Sequence, residues 1–200
     1  MKLLIATRNA HKMSEIAAIL NWPGVEPVSV ADIVDAPDVV EDGLTFEANA
    51  VKKADALARA TGMFALADDS GLEVDALGGA PGVYSARYAG EPADYAANNR
   101  KLLEEMRGRA DRSARFRCVM ALSTPSGESL TVEGACEGTI TRRPRGKRGF
   151  GYDPVFVPAR YSETFAEMTA DLKNRISHRA AALRAARSAF AELLTGPRSV

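Results

Sequence analysis

A chain of 200 residues is long enough for one substantial hydrophobic core and does not require a second domain. Its 26 Lys and Arg balance 26 Asp and Glu, so no global field draws it to nucleic acid, a membrane or an acidic partner. Cys118 and Cys136 lack the close spacing of a zinc or redox site, and read as buried free thiols of a reducing compartment rather than a disulfide.

The apolar start Met1–Ala6 resembles the opening of a signal sequence, but Thr7–Lys12 cuts it short, and no apolar run is long enough to span a bilayer. A cytoplasmic location is expected. Leu3–Ala6 reads as a buried first strand and His11–Leu20 as a helix with an Ile16, Ile19, Leu20 stripe, stopped by Asn21-Trp22-Pro23-Gly24. Val25–Val30 suits a short strand, and Asp32–Gly43 an exposed connection. Phe46–Ala60 is alanine-rich and helical, with Thr45 as N-cap, Glu47 in the first turn and Thr61-Gly62 as its end.

Phe64–Ala67 reads as a strand that gives way to an Asp68-Asp69 turn, followed by an apolar segment through Leu77 and a turn cluster at Gly78–Gly82. Tyr95–Met106 is helical. Phe116–Ser123 and Leu130–Cys136 suit strands of a hairpin turning at Pro125-Ser126-Gly127. Thr141–Gly151 is basic and glycine-rich, Val155–Val157 is a short strand, and a last helix is expected from about Ile176 to Leu194, closed by Gly196-Pro197. Mixed strands and helices of this kind indicate an α/β fold, a single domain over residues 1–196 with a tail at 197–200.

Four groups carry candidate chemistry. Asp68 and Asp69 are neighbours on an extended segment, so their side chains point to opposite faces and do different work. One can meet a metal or water while the other anchors a loop; hard divalent ions take carboxylate oxygens together with phosphate oxygens and water. Thr7-Arg8-Asn9-Ala10-His11-Lys12 joins the first strand to its helix, where amide hydrogens and the Lys12 ammonium suit phosphate, or else form an ordinary turn with a surface lysine. The Walker A spacing is absent, as is a dinucleotide-binding Gly-x-Gly-x-x-Gly.

Arg148–Pro154 places Phe150 between two glycines, either as a stacking face for a base or as core filling in a turn; Asp153 either fixes that turn or accepts from a base. Lys173–Arg179 offers Lys173, His178 and Arg179 to phosphate or to a base carbonyl, or is a solvated charge run with Ser177 or Asn174 capping the helix. Near the second long helix, Glu41 can join Asp69 around magnesium and Lys53 can face phosphate; the alternative is an acidic cap followed by solvated lysines. The groups together suit magnesium-dependent phosphoryl chemistry on a nucleotide, with Asp69 accepting a proton from water.

Five stretches in this order, Gly43–Ala50, Ala67–Leu72, Gly78–Arg87, Gly149–Pro154 and Ile176–Arg179, resemble the inosine triphosphate pyrophosphatase family from Lys2 to about Leu194. The resemblance implies an elongated central mixed β-sheet flanked by helices, with two lobes and the nucleotide cleft between them. It implies Mg2+-dependent hydrolysis of ITP, dITP and XTP to the monophosphate and pyrophosphate, and a homodimer; the balanced charge without a basic stripe argues against a nucleic-acid partner, and the short apolar runs against a membrane one.

By the same resemblance, Thr7, Arg8, Asn9, Ala10, His11 and Lys12 hold the phosphates, and Asp69 and Glu41 hold the metal, with Asp69 also the proton acceptor. Ser70 contacts substrate by that resemblance, while Lys12 as the catalytic partner of Asp69 and Lys53 as a substrate contact are read from their charge. Phe150, Gly151, Tyr152, Asp153, Lys173, His178 and Arg179 form the base pocket and its surroundings, with His178 and Arg179 as donors to the purine six-carbonyl. Arg8 departs from the small residue usual at its position. A pyrophosphatase preferring modified pyrimidine or ordinary nucleotides, and a nucleotide-binding regulatory module without turnover, are the competing expectations.

Overall fold

The computed structural model describes residues 1–195, so the expected end of the domain at 196, the Gly196-Pro197 stop and the 197–200 tail lie outside the described residues. The chain is α/β, with a six-stranded mixed sheet in the order β2-β1-β3-β4-β5-β6. The strands are β1 (Lys2–Ile5), β2 (Glu26–Ser29), β3 (Ala65–Val74), β4 (Ser113–Ser123), β5 (Ser129–Ile140) and β6 (Phe156–Pro158). The helices are α1 (Ala10–Ile19), α2 (Phe46–Thr61), α3 (Tyr95–Glu105), α4 (Ala170–Ile176), α5 (His178–Ala189) and α6 (Ala191–Thr195). β1 pairs in parallel with β2 and β3, as strands joined through helical crossovers must, whereas β5 and β6 are antiparallel.

Two compact units form, and the chain passes between them more than once. Unit 1 comprises residues 1–69, 118–134 and 179 onward; unit 2 comprises 70–117 and 135–178. Each has its own apolar core. In unit 1, Leu3, Ile5 and Leu66 of the strands pack with Ile16, Trp22 and Phe190. In unit 2, Phe116 is the centre of an aromatic group, edge-on to Phe156 at 4.8 Å and tilted against Phe165 at 5.9 Å.

Two expectations fail for one reason. The Asp68-Asp69 pair does not turn the chain, because β3 runs unbroken from Ala65 to Val74. Carboxylates stay in a buried strand when the surrounding side chains neutralise them, and those partners come from residues distant in sequence. The expected Ile176–Leu194 helix is two helices, α5 and α6, parted at Phe190, and Ser177 separates α5 from α4, which ends at Ile176. Neither break holds a glycine or proline. Ser177 is wholly buried and extended at ψ 161°, and its N–H still donates to the Lys173 carbonyl at 2.9 Å. The wholly buried Phe190 belongs to the unit 1 core, so packing rather than local propensity sets the ends.

The α2 start follows its sequence. Thr45 Oγ1 accepts from the Ala48 N–H at 3.1 Å, and Gly62, left-handed at φ 67°, ends the helix. Thr45→Ala is expected to lower stability by about 1 kcal/mol, read as a shift in the urea midpoint at unchanged slope. An unshifted midpoint would show that this cap does not hold the helix.

Candidate active site

In unit 1 the two adjacent carboxylates of β3 meet different helices. Asp68 is 1% exposed and receives the Arg179 guanidinium from α5, Nε at 2.9 Å and Nη2 at 2.8 Å, both on Oδ2. Lys12 Nζ of α1 lies 2.7 Å from Oδ1 of the same carboxylate. Arg179 also pairs with Glu15 on α1, and Cys118 donates its thiol to Asp68 at 3.4 Å. Burial opposes ionisation of Asp68, but Arg179 and then Lys12 outweigh it and hold its pKa well below the usual carboxylate value. Burial likewise works against the Lys12 ammonium, yet Asp68 leaves its pKa raised.

Asp69 faces α2. Its Oδ2 accepts from Asn49 Nδ2 at 3.1 Å, and its Oδ1 lies 3.6 Å from Lys53 Nζ. Lys53 also donates to Glu41 at 2.8 Å and to the Asp68 carbonyl at 2.7 Å. Burial pushes the Asp69 carboxyl up to about 6; Lys53 and Lys12 oppose the rise and the Glu41 carboxylate adds to it. Burial acts on Glu41 in the same direction, but there Lys53 prevails and the pKa is lowered. Two adjacent carboxyl groups of one strand thus have proton affinities shifted in opposite directions.

Asn49 escaped the sequence reading as a site residue. Its side chain exchanges hydrogen bonds with the Gly43 backbone, Oδ1 accepting at 2.7 Å and Nδ2 donating at 3.4 Å, while holding Asp69. A Cβ at Gly43 would stand 2.6 Å from that Oδ1, so this loop closes on Asn49 only with glycine there. The signal was present in Gly43 and Asn49 six residues apart, yet nothing local tied them to Asp69. Glu15 escaped as well, as a polar position on an ordinary amphipathic helix.

The Thr7–Lys12 loop is capped from within. Asn9 Oδ1 accepts from the N–H groups of His11 at 3.0 Å and Lys12 at 3.2 Å, the amides expected to be open to phosphate. Thr7 Oγ1 accepts from the Asn9 N–H at 3.2 Å. Arg8 turns to the exposed connection, with Nε 2.8 Å from Asp38 and Nη2 donating to the Ala36 carbonyl at 2.8 Å. Ala10 and His11 are exposed at the helix start. Lys53 is buried, not the solvated lysine of the alternative reading; Lys52 is exposed and pairs with Asp42.

Unit 2 gathers a second group. Phe150 lies in the turn before β6, its N–H donating to Asp153 Oδ2 at 2.8 Å, and the same carboxylate pairs with Lys173 of α4. The Lys173 ammonium sits over the Phe150 ring at 4.8 Å and near Phe165 at 5.5 Å. Gly149 has φ 70°, and a Cβ there would fall 1.9 Å from Asp153 Oδ2, so only glycine permits the turn. Asp153 therefore fixes the turn. Gly151 accepts from Asn99 Nδ2 at 2.9 Å, and Tyr152 donates its hydroxyl to the Ser85 carbonyl at 2.9 Å. His178 is buried and stacked on Phe116 at 4.7 Å.

The last motif is neither a solvated run nor one cluster. Lys173 and His178 belong to unit 2, and Arg179 is closed by Asp68 and Glu15 in unit 1. Ser70 is the first residue of unit 2 and half-buried on β3. Both cysteines are free and buried, as expected.

Among the described residues no group of three or more His, Cys, Asp or Glu can hold a metal ion. Glu41 and Asp69, in hydrogen-bond contact and sharing Lys53, nevertheless form an all-oxygen pair that suits a hard cation which keeps water and substrate oxygens as its other ligands.

Residues 3–189 match the model of the Ham1 family. A dITP/XTP pyrophosphatase of Desulforamulus reducens is 54% identical over 188 residues, covering 93% of this chain and 94% of that protein. One from Bacillus subtilis is 51% identical over 183 residues, covering 90% and 92%. The structure of a HAM1 protein from Coxiella burnetii superposes with a TM-score of 0.87 at 41% identity, covering 96% of this chain and 99% of that one.

Removing one member of a buried charge group leaves the others uncompensated. Asp68→Asn is therefore expected to destabilise the protein by about 3 kcal/mol, measured by urea unfolding. A loss near zero would mean that Lys12 and Arg179 find other partners or water.

Proposed function

This chain belongs to the Ham1 family, and we propose that it hydrolyses purine nucleoside triphosphates of the inosine and xanthosine type, ITP, dITP and XTP, to the monophosphate and pyrophosphate. The observation that carries the reading is the Asp69 carboxyl, raised to about 6 beside Glu41 and within reach of two buried or half-buried lysines. A carboxylate with that proton affinity is largely ionised near neutral pH and is a better proton acceptor than an ordinary aspartate.

In this mechanism Asp69 takes a proton from the water that attacks the α-phosphorus. The bond that breaks joins that phosphorus to the oxygen bridging the α- and β-phosphates, and pyrophosphate departs. Asn49 holds the Asp69 carboxylate in one orientation, and the Gly43 backbone holds the Asn49 amide. Lys12 and Lys53 supply positive charge to the phosphate oxygens. Thr7, Arg8, Asn9, Ala10 and His11 shape the phosphate loop, with Arg8 bracing it against Asp38, and Ser70 contacts substrate. Asp69 and Glu41 are the proposed magnesium ligands. Held by these two carboxylates, magnesium would supply Lewis-acid withdrawal of charge from the phosphate.

For the base, Phe150 is the proposed stacking face, with Gly151, Tyr152, Asp153 and Lys173 holding it in place. His178 and backbone amides near Phe150 are the proposed donors to the six-carbonyl, where adenine would present an amino group and leave a donor unpaired. That mismatch costs about 1–3 kcal/mol per group. Arg179 is assigned instead to Asp68 and Glu15. A homodimer completes the proposal. Among the described residues no helix is long and apolar enough to cross a membrane.

The test is product analysis with ITP and ATP, with magnesium or excess chelator, on wild type, Asp69→Asn and Glu41→Gln. Expected are fast magnesium-dependent pyrophosphate release from ITP, slow release from ATP, and a loss of about 10²-fold or more in Asp69→Asn. Direct orthophosphate release would place attack at the terminal phosphate and overturn the reading. Equal turnover of ATP would remove the base preference, and absence of turnover of any nucleoside triphosphate would favour a binding module.

A further inference from the structure

The basic stretch after β5 takes no part in the proposed hydrolysis, yet it closes one side of a cavity of about 740 Å³ within unit 2. Arg100 of α3, Arg107 just past its end, Arg112 before β4 and Arg142 after β5 all line it. The only carboxylate in that lining is Glu104, which is paired with Arg107. Neither Arg100 nor Arg142 has an acidic partner among the described residues. Four guanidiniums facing one spent carboxylate are a surplus of positive charge in a concave site.

Arg112 shows that the site is built rather than incidental. Its guanidinium donates to three backbone carbonyls, Ile140 at 2.6 Å, Thr141 at 2.6 Å and Met106 at 3.1 Å. The side chain is thus fixed while no carboxylate among the described residues balances its charge. Burial, and then the nearby Arg142, hold its pKa below the usual arginine value, which places the two cations close enough to repel. Bound anion relieves that repulsion.

A second kind of group faces the same space. Asn99 is 7% exposed, lines the cavity and donates its Nδ2 to Gly151, while its buried Oδ1 has no hydrogen-bond partner. An orphaned acceptor of this sort calls for a ligand N–H or O–H. Leu103 and Pro144 add apolar wall.

We propose that this cavity is a second ligand site that takes a nucleotide-sized organic phosphate. Its phosphate oxygens meet Arg100, Arg112 and Arg142, and an amino or hydroxyl donor on its body meets Asn99 Oδ1. The volume lies within the range of small-ligand pockets, and guanidinium matches phosphate oxygen in charge and geometry. Inorganic polyphosphate satisfies the arginines but offers nothing to Asn99 or to the apolar wall. The site is built wholly from residues of unit 2 and does not rest on the proposed hydrolysis.

The test uses the full chain with chelator present. A photoreactive azido derivative of ADP is cross-linked and its attachment mapped by mass spectrometry, with ADP and inorganic tripolyphosphate as competitors. Expected is labelling within residues 96–112 or 142–146, competed by ADP far better than by tripolyphosphate. Arg100→Glu with Arg142→Glu, both at exposed positions, should weaken ADP binding by about tenfold or more at an unchanged melting temperature. Labelling confined to other residues, labelling indifferent to the double charge reversal, or tripolyphosphate competing as well as ADP would each overturn the proposal. Asp69→Asn is expected to retain this labelling, so the outcome is separable from that of the hydrolysis assay.

Discussion

The buried Asp68 carboxylate is the constraint on which unit 1 depends. Moving a carboxylate from water to the interior costs several kcal/mol, so the strand that carries it is tenable only with cations brought to it. Lys12 arrives from the start of α1 and Arg179 from the start of α5, more than a hundred residues away, and Glu15 balances the second cation. One anion therefore fixes the positions of two helix starts relative to β3. Attraction between such charges is of order 4 kcal/mol each at contact distance, comparable with the desolvation it must offset, so the arrangement contributes more to geometry than to net stability.

That geometry sets the chemistry of the next residue. Because Asp68 holds its cations on one side of β3, Asp69 is left with Lys53, Asn49 and the Glu41 carboxylate. The same strand thus presents one carboxyl held well below the usual carboxylate range and a neighbour raised to about 6. Asn49 links this second carboxyl to the Gly43 loop, so the position of that connection and the orientation of the Asp69 carboxyl are one structural fact.

Unit 2 applies a similar rule with a different result. Asp153 pairs with Lys173 and also accepts from the Phe150 N–H, so a buried ion pair shapes a glycine-rich turn and presents an aromatic ring beside an ammonium. Where the carboxylates are too few, as around Arg100, Arg112 and Arg142, the charge is left for a ligand to complete. Compensated charge organises the fold, and uncompensated charge marks binding.

Much of this was legible along the chain. Apolar runs located β1 and β4, Thr45 and Gly62 bounded α2, and the motif order indicated the family and the α/β class. Gly149 and Asp153, four residues apart, announced a tight turn. Local sequence also determined that Asp68 and Asp69 serve different faces, because strand geometry alternates side chains. What only tertiary structure decided were the facts that depend on distant partners. β3 continues through two aspartates because Lys12, Arg179, Asn49 and Lys53 converge on them. Ser177 separates α4 from α5 without any helix-breaking residue, and Arg179 is an internal cation paired with Asp68 and Glu15. The physical reason is that propensity acts over neighbouring residues, whereas packing and the cost of burying charge are settled by whichever groups the fold brings within a few ångströms.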